Sequence, residues 1–170
     1  HKVHQARMDF QLASTGFSYS VFKKFRELAA EADVINYHFL WPFMDLVHFC
    51  SALKKPYVVT YHSDIVRQRH LLKLYRPLMR RFLNGADRIV AASPNYVHTS
   101  DVLKEYRDKT QIITYGLNKA SYPQRDAERI AQWKAKLGER FFLFVGVMRY
   151  YKGLHILLDA LKGVDYPVVI

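Results

Sequence analysis

Short runs of apolar residues, most of them β-branched or aromatic, recur along the chain at 34–38, 57–61, 88–92, 111–115, 141–145 and 168–170. They are too short for helices and too continuously apolar for strands with one wet face, so they predict buried strands. Between them, apolar positions return every three to four residues, which predicts helices over 20–31, 43–53, 70–84, 99–106, 127–137 and 154–161. A further strand is expected within 3–12. Strands alternating with helices imply an α/β fold whose parallel sheet carries helices on both faces.

Gly and Pro mark the breaks. Gly85 after Asn84, and Gly138 after Leu137, stand where helices commonly end in a left-handed residue. Pro56 and Pro94 flank strands, where a missing amide is tolerated. Pro77 falls inside the helix expected over 70–84; it removes one backbone bond and is expected to bend that helix. The polar stretch 117–128 is the best linker candidate. The expected division is a first Rossmann-like domain over 1–118, a linker over 119–139 and the start of a second domain over 140–170.

Half of the 170 residues are hydrophobic, enough to build a core and exclude disorder as the main state. The single cysteine, Cys50, excludes a disulfide framework and a Cys-based zinc site. A net charge of +11 favours anionic partners: nucleic acid, anionic lipid or phosphorylated small molecules. No apolar run approaches the roughly 18 residues of a membrane-spanning helix, and no signal peptide is visible. The chain begins at His1 and stops within the apolar run Pro167–Ile170, so it is expected to be a fragment, inactive alone and prone to self-association.

The standard phosphate cradles G-x-G-x-x-G and G-x-x-x-x-G-K-[ST] are absent, as are H-E-x-x-H and the G-x-S-x-G elbow. Open parallel sheets bind ligands beyond the carboxyl ends of their strands. The residues there are His38, His62 with Asp64, Ser93, Gly116 and Gly146, a plausible but generic crevice. Between Ile65 and Ala86 the chain is basic and free of acids. Arg69, Lys73, Arg76 and Arg80 recur at helical spacing, so they share one stripe beside an apolar face. Such a stripe suits an anionic membrane, and equally the solvated side of an ordinary helix. The aromatic and basic content also suits nucleic acid, but no recognised binding module is present, and no nucleic-acid partner is expected.

Five segments stand out together: Ala32-Asp33-Val34, Thr60-Tyr61-His62-Ser63-Asp64, the stretch Ala86 to Ser93, Ile112 to Asn118, and Phe144 to Leu154. In this order they resemble the retaining family-4 glycosyltransferases of the two-domain GT-B fold. They look most like the mannosyltransferase-type members that build bacterial surface polysaccharides. The resemblance implies transfer of a hexose, mannose or a related sugar, from a nucleoside-diphosphate donor to a lipid-linked or glycan acceptor, with retention and without a metal or other cofactor. It implies a cytoplasmic enzyme, peripheral on the inner face of the plasma membrane.

Carried over by residue, the resemblance places His62 against the donor sugar, with Asp64 either orienting that imidazole or capping the next helix. His38 matches a strand-end histidine of the family. Lys152 matches the lysine that neutralises the donor diphosphate, beside Gly146 and Gly153, and Gly116 is expected near the donor too. The family arginine that directly follows glycine is Val147 here, with Arg149 two positions later. The alternative reading is a non-catalytic basic α/β module that docks on anionic membrane or nucleic acid.

Overall fold

The computed structural model describes residues 3–12, 15–65 and 69–170, without the side chains of 69 and 70. They fall into two compact units, His1–Gly116 and Leu117–Ile170.

The first unit opens with an antiparallel hairpin, β1 (Phe10–Leu12) and β2 (Thr15–Phe17), in register Phe10 to Phe17. The strand expected within 3–12 is therefore a three-residue arm of a hairpin, outside the parallel sheet. Helix α1 (Tyr19–Glu31) leads to a four-stranded parallel sheet. Its strands are β3 (Ile35–Phe39), β4 (Tyr57–Tyr61), β5 (Arg88–Ala91) and β6 (Thr110–Ile112), in that spatial order. They are joined by α2 (Pro42–Ser51), α3 (Arg69–Gly85), and the pair α4 (Pro94–Thr99) and α5 (Asp101–Glu105). The α/β class, with a parallel sheet flanked by helices, is as expected from the alternating pattern.

Strand order decides which face the helices cover. When neighbours in sequence are neighbours in the sheet, right-handed crossovers all pass over the same face. Accordingly Tyr37, Phe39, Tyr57, Val59, Tyr61, Ile89 and Ala91 point into one core with Met79, Phe82 and Leu83 of α3 and Leu103 of α5. Phe25 of α1 and Met44 and Phe49 of α2 pack against the same cluster. The alternate strand positions Asn36, His38, Val58, Thr60 and Val90 stay exposed or half-buried on the other face. Among the described residues, α1 to α5 pack on the face that carries Tyr37, Phe39 and Tyr61.

Tertiary contacts reset several local expectations. Helix α3 runs unbroken through Pro77 and includes Gly85, which has no positive φ. Gly85 is required for another reason: a Cβ there would lie 2.5 Å from Tyr57 Oη, which itself donates to Phe82 O at 2.6 Å. The carbonyls at the end of α3 are met instead by Lys109, whose ammonium donates to Leu83 O, Asn84 O and Ala86 O at 2.6, 2.8 and 3.1 Å. The helix expected over 99–106 is two short helices. Buried Ser100 adopts an extended conformation between them and accepts from Leu103 N at 3.2 Å, capping α5. Asp87 ties the start of β4 to β5: Tyr57 N donates to its carboxylate, and Asp87 N donates to Tyr57 O, both at 2.9 Å.

In the second unit, α6 (Ala127–Leu137) precedes β7 (Phe142–Leu143), α7 (Leu154–Ala160) and β8 (Val168–Val169), with β7 and β8 paired in parallel. Asp126 caps α6, accepting from Arg129 N at 3.0 Å, and Gly138 ends it with φ 82°, as its sequence position implied. None of its residues is buried; Val145, Val147 and Met148 are among the exposed apolar ones.

Candidate active site

The open face of the β3–β6 sheet ends, at its carboxyl edge, in a cluster that alternation creates. Asn36 and His38 of β3 and Thr60 of β4 face the same way, and Thr60 Oγ1 donates to Asn36 Oδ1 at 3.1 Å. With Val58, Val90 and the segment Ile113–Gly116 they line a cavity of about 580 Å³. His62 follows β4 directly and extends its ladder, its backbone N–H donating to Phe39 O at 2.9 Å.

Both ring nitrogens of His62 have partners. Nε2 lies 2.8 Å from His38 Nδ1, and Nδ1 lies 2.7 Å from Tyr115 Oη. A neutral imidazole has one N–H, so the chain Tyr115–His62–His38 has two consistent proton arrangements, one the reverse of the other. A second added proton would put two N–H groups face to face between the rings. Burial first, and the His38 charge second, lower the His62 pKa below the ordinary histidine value, which favours its neutral form at pH 7.

The other expected residues separate into groups. Asp64 does not bond to His62. Its Oδ1 accepts from Tyr61 Oη and Ser100 Oγ, both at 2.8 Å, which ties the end of β4 to the α4–α5 junction. Ser93 stands at the N-cap of α4 without a side-chain cap bond. Gly116 lines the cavity, and a Cβ there would meet nothing within 4 Å. Of the basic stripe, Arg69 lies with its side chain outside the described residues. Arg76 and Arg80 are turned toward α5: Arg80 grips Glu105 with contacts of 2.7 Å, and Arg76 reaches it at 3.3 Å. Those guanidinium groups hold the Glu105 carboxyl below its usual range, Arg80 more strongly. Lys73 is exposed. The stripe is thus partly an interhelical clasp.

In the second unit Arg149 precedes a 3₁₀ turn, Tyr150–Lys152, whose last residue is exposed Lys152. Lys152 Nζ lies 5.7 Å from the centre of the Tyr151 ring. Gly153 ends that turn in the left-handed region, φ 69°, and stands at the N-cap of the seven-residue α7. Gly146 is held to its size by the Phe144 ring, 3.4 Å from a Cβ placed there. No group of three His, Cys, Asp or Glu among the described residues could hold a metal ion.

Sequence reasoning missed Tyr115. It stands one residue before Gly116, past the end of β6, so the same strand-end rule that selected His62 could have found it.

The family-4 glycosyltransferase model matches residues 3–120. The chain belongs to glycosyltransferase family 4. It is 75% identical over all its 170 residues to D-rhamnosyltransferase WbpZ of Pseudomonas aeruginosa, of which it covers 45%. It is 51% identical, again over its whole length, to O-antigen chain mannosyltransferase C of Escherichia coli, of which it covers 46%. The chain therefore spans about half the length of these curated relatives. No helix among the described residues is long and apolar enough to cross a membrane.

Proposed function

We propose that the protein carrying this chain transfers D-rhamnose from a nucleoside-diphosphate donor to a growing surface polysaccharide, with retention of configuration. The observation that carries this reading is the 75% identity, without truncation of this chain, to a D-rhamnosyltransferase, against 51% to a mannosyltransferase. D-rhamnose is 6-deoxy-D-mannose, so the two sugars share the hydroxyl pattern that a site for one needs for the other. In the reaction the bond from the anomeric carbon to the diphosphate breaks. A bond from that carbon to an acceptor hydroxyl oxygen forms on the same face, and the hydroxyl proton passes to the oxygen of the departing diphosphate.

The histidine pair at the sheet's carboxyl edge serves the donor sugar. Lys152 supplies a positive charge to the leaving diphosphate, where negative charge grows in the transition state, and Arg149 assists it. The donor needs no metal or other cofactor in this reading. The acceptor is lipid-linked, and the enzyme works on the cytoplasmic face of the membrane. An apolar groove of about 360 Å³ supports this, lined by Leu12, Phe17, Leu46, Leu71, Leu74 and Leu78 beside basic α3.

The test is transfer by the full-length protein from the guanosine- and uridine-diphosphate forms of D-rhamnose and D-mannose onto a lipid-linked glycan, with NMR of the product linkage. The expected product carries D-rhamnose in the donor's anomeric configuration. Transfer of mannose alone, or an inverted product, overturns the proposal.

A further inference from the structure

A second cavity, of about 420 Å³, lies on the packed side of the sheet, between α3 and the α4–α5 pair and just beyond the end of β4. Asp64, Arg76, Thr99, Asp101 and Glu105 line it with polar groups, and Leu72, Met79 and Val102 with apolar ones. His62 turns to His38, whereas Asp64, two residues on, turns to Tyr61 and Ser100. The cleft and the histidine pair therefore lie on either side of the end of β4. We infer that this cleft holds a sugar ring of the acceptor glycan. The inference rests on the reading above that the whole protein transfers a sugar to a glycan.

The lining suits a pyranose, which offers an apolar C–H face and a rim of hydroxyls that both give and take hydrogen bonds. Carboxylates accept from such hydroxyls and a guanidinium donates to them. Asp64 is fixed for that role, since Tyr61 Oη and Ser100 Oγ both donate to its Oδ1 at 2.8 Å. Arg76 is available for it. Arg80 already holds Glu105 with contacts of 2.7 Å, while Arg76 reaches the same carboxylate at 3.3 Å. Arg76 can turn to a hydroxyl and leave Glu105 paired. Asp101, exposed at the start of α5, accepts from Lys104 Nζ at 2.9 Å. Three carboxylates and one guanidinium make a poor setting for a phosphate, so the ligand is a neutral part of the acceptor and not the donor diphosphate. The apolar groove on the other side of α3 adjoins this cleft. Leu71, Tyr75 and Leu78 line the groove, Arg76 and Met79 line the cleft, and Ile65 and Leu72 line both. That adjacency fits a glycan carried on an apolar chain.

The experiment measures initial rates of the full-length protein, varying the lipid-linked glycan and the donor in turn. The donor is whichever it uses among the guanosine- and uridine-diphosphate forms of D-rhamnose and D-mannose. Arg76→Gln and Asp101→Asn should each raise the acceptor KM about tenfold or more, the scale of a hydrogen bond to a charged group, with donor KM unchanged. Arg76→Lys should recover part of the loss. Thr99→Trp puts an indole into the cleft from an exposed position and should raise the acceptor KM further. It decides the matter if Arg76→Gln fails to fold. Arg88→Gln, at the amino end of β5, should change neither constant. An acceptor KM unmoved by Thr99→Trp, or a donor KM that rises with it, overturns the inference and leaves the functional reading standing. Transfer of mannose alone, with the acceptor KM shifted as expected, overturns the D-rhamnose reading and supports the cleft. If none of the four donors is used, both fall.

Discussion

The two faces of the β3–β6 sheet are built from the same strands and differ in everything else. One face places Tyr37, Phe39, Tyr57, Val59 and Tyr61 against helices on which Phe82, Leu83 and Leu103 are fully buried. The other face carries Asn36, His38 and Thr60 and, among the described residues, is open. The packed face illustrates how a small domain holds together, through area removed from water and rings in edge contact, such as Tyr37 on Phe82 at 5.1 Å. The open face shows where polar groups can be kept uncommitted to the core. Because the strand order is sequential, the helices that follow these strands share the packed face.

The contrast between the faces is most exposed to refutation on the packed side. Phe82 touches Tyr37, Phe39, His48 and Tyr57, so Phe82→Ala should cost about 3–5 kcal/mol in urea unfolding. A loss below about 1 kcal/mol would mean that the aromatic cluster is not the core. Next in size, Gly85→Ala forces a methyl against Tyr57 Oη and should cost about 1–3 kcal/mol. Tyr57→Phe should relieve much of that clash in the double variant, and a strictly additive double variant would argue against the contact.

Asp45 of α2 brings pH to bear on the packed face. It is 1% exposed and accepts a hydrogen bond from Tyr75 Oη. Burial pushes its carboxyl up to about 7 from an ordinary value of 3.8, against the pull of that bond. A raised folded value means that its contribution is fully present below the unfolded pKa and is lost as pH rises through about 7. Asp45→Asn should lack that loss, so its melting temperature should gain on the wild type as pH goes from 5 to 8. A tenfold difference in proton affinity between the folded and unfolded carboxyl corresponds to about 1.4 kcal/mol. A constant difference across that range would show that Asp45 is ionised throughout.

The smallest effect belongs to the surface of α3. Lys73→Gln should weaken binding to anionic vesicles by about 1 kcal/mol. Arg80→Gln should matter less there and more for stability, since Arg80 is bound to Glu105. Equal loss from both in co-sedimentation would restore the stripe as a single lipid-facing surface.

What was legible in the sequence follows the same division. The order of strands and helices could be read because each element carries its own period in its own residues. What escaped needed partners far along the chain. Gly85 reads as a helix stop, yet the ring it must admit is that of Tyr57, and the end of α3 is capped by Lys109. Arg76 and Arg80 read as a free basic stripe until Glu105 meets them. His62 was legible from its motif, but its ring is hydrogen-bonded to Tyr115, 53 residues away, and to His38, 24 residues before it.

The claim that the open face does chemistry while the packed face holds the fold is tested most directly by one paired measurement. Turnover and melting temperature are recorded for His38→Ala in the full-length protein, with a D-rhamnose donor and a lipid-linked glycan. Turnover should fall by about 10²–10³ with the melting temperature within a degree or so of the wild type, since His38 is exposed and makes one side-chain hydrogen bond. Undiminished turnover, or turnover that falls only as the protein unfolds, would contradict the claim.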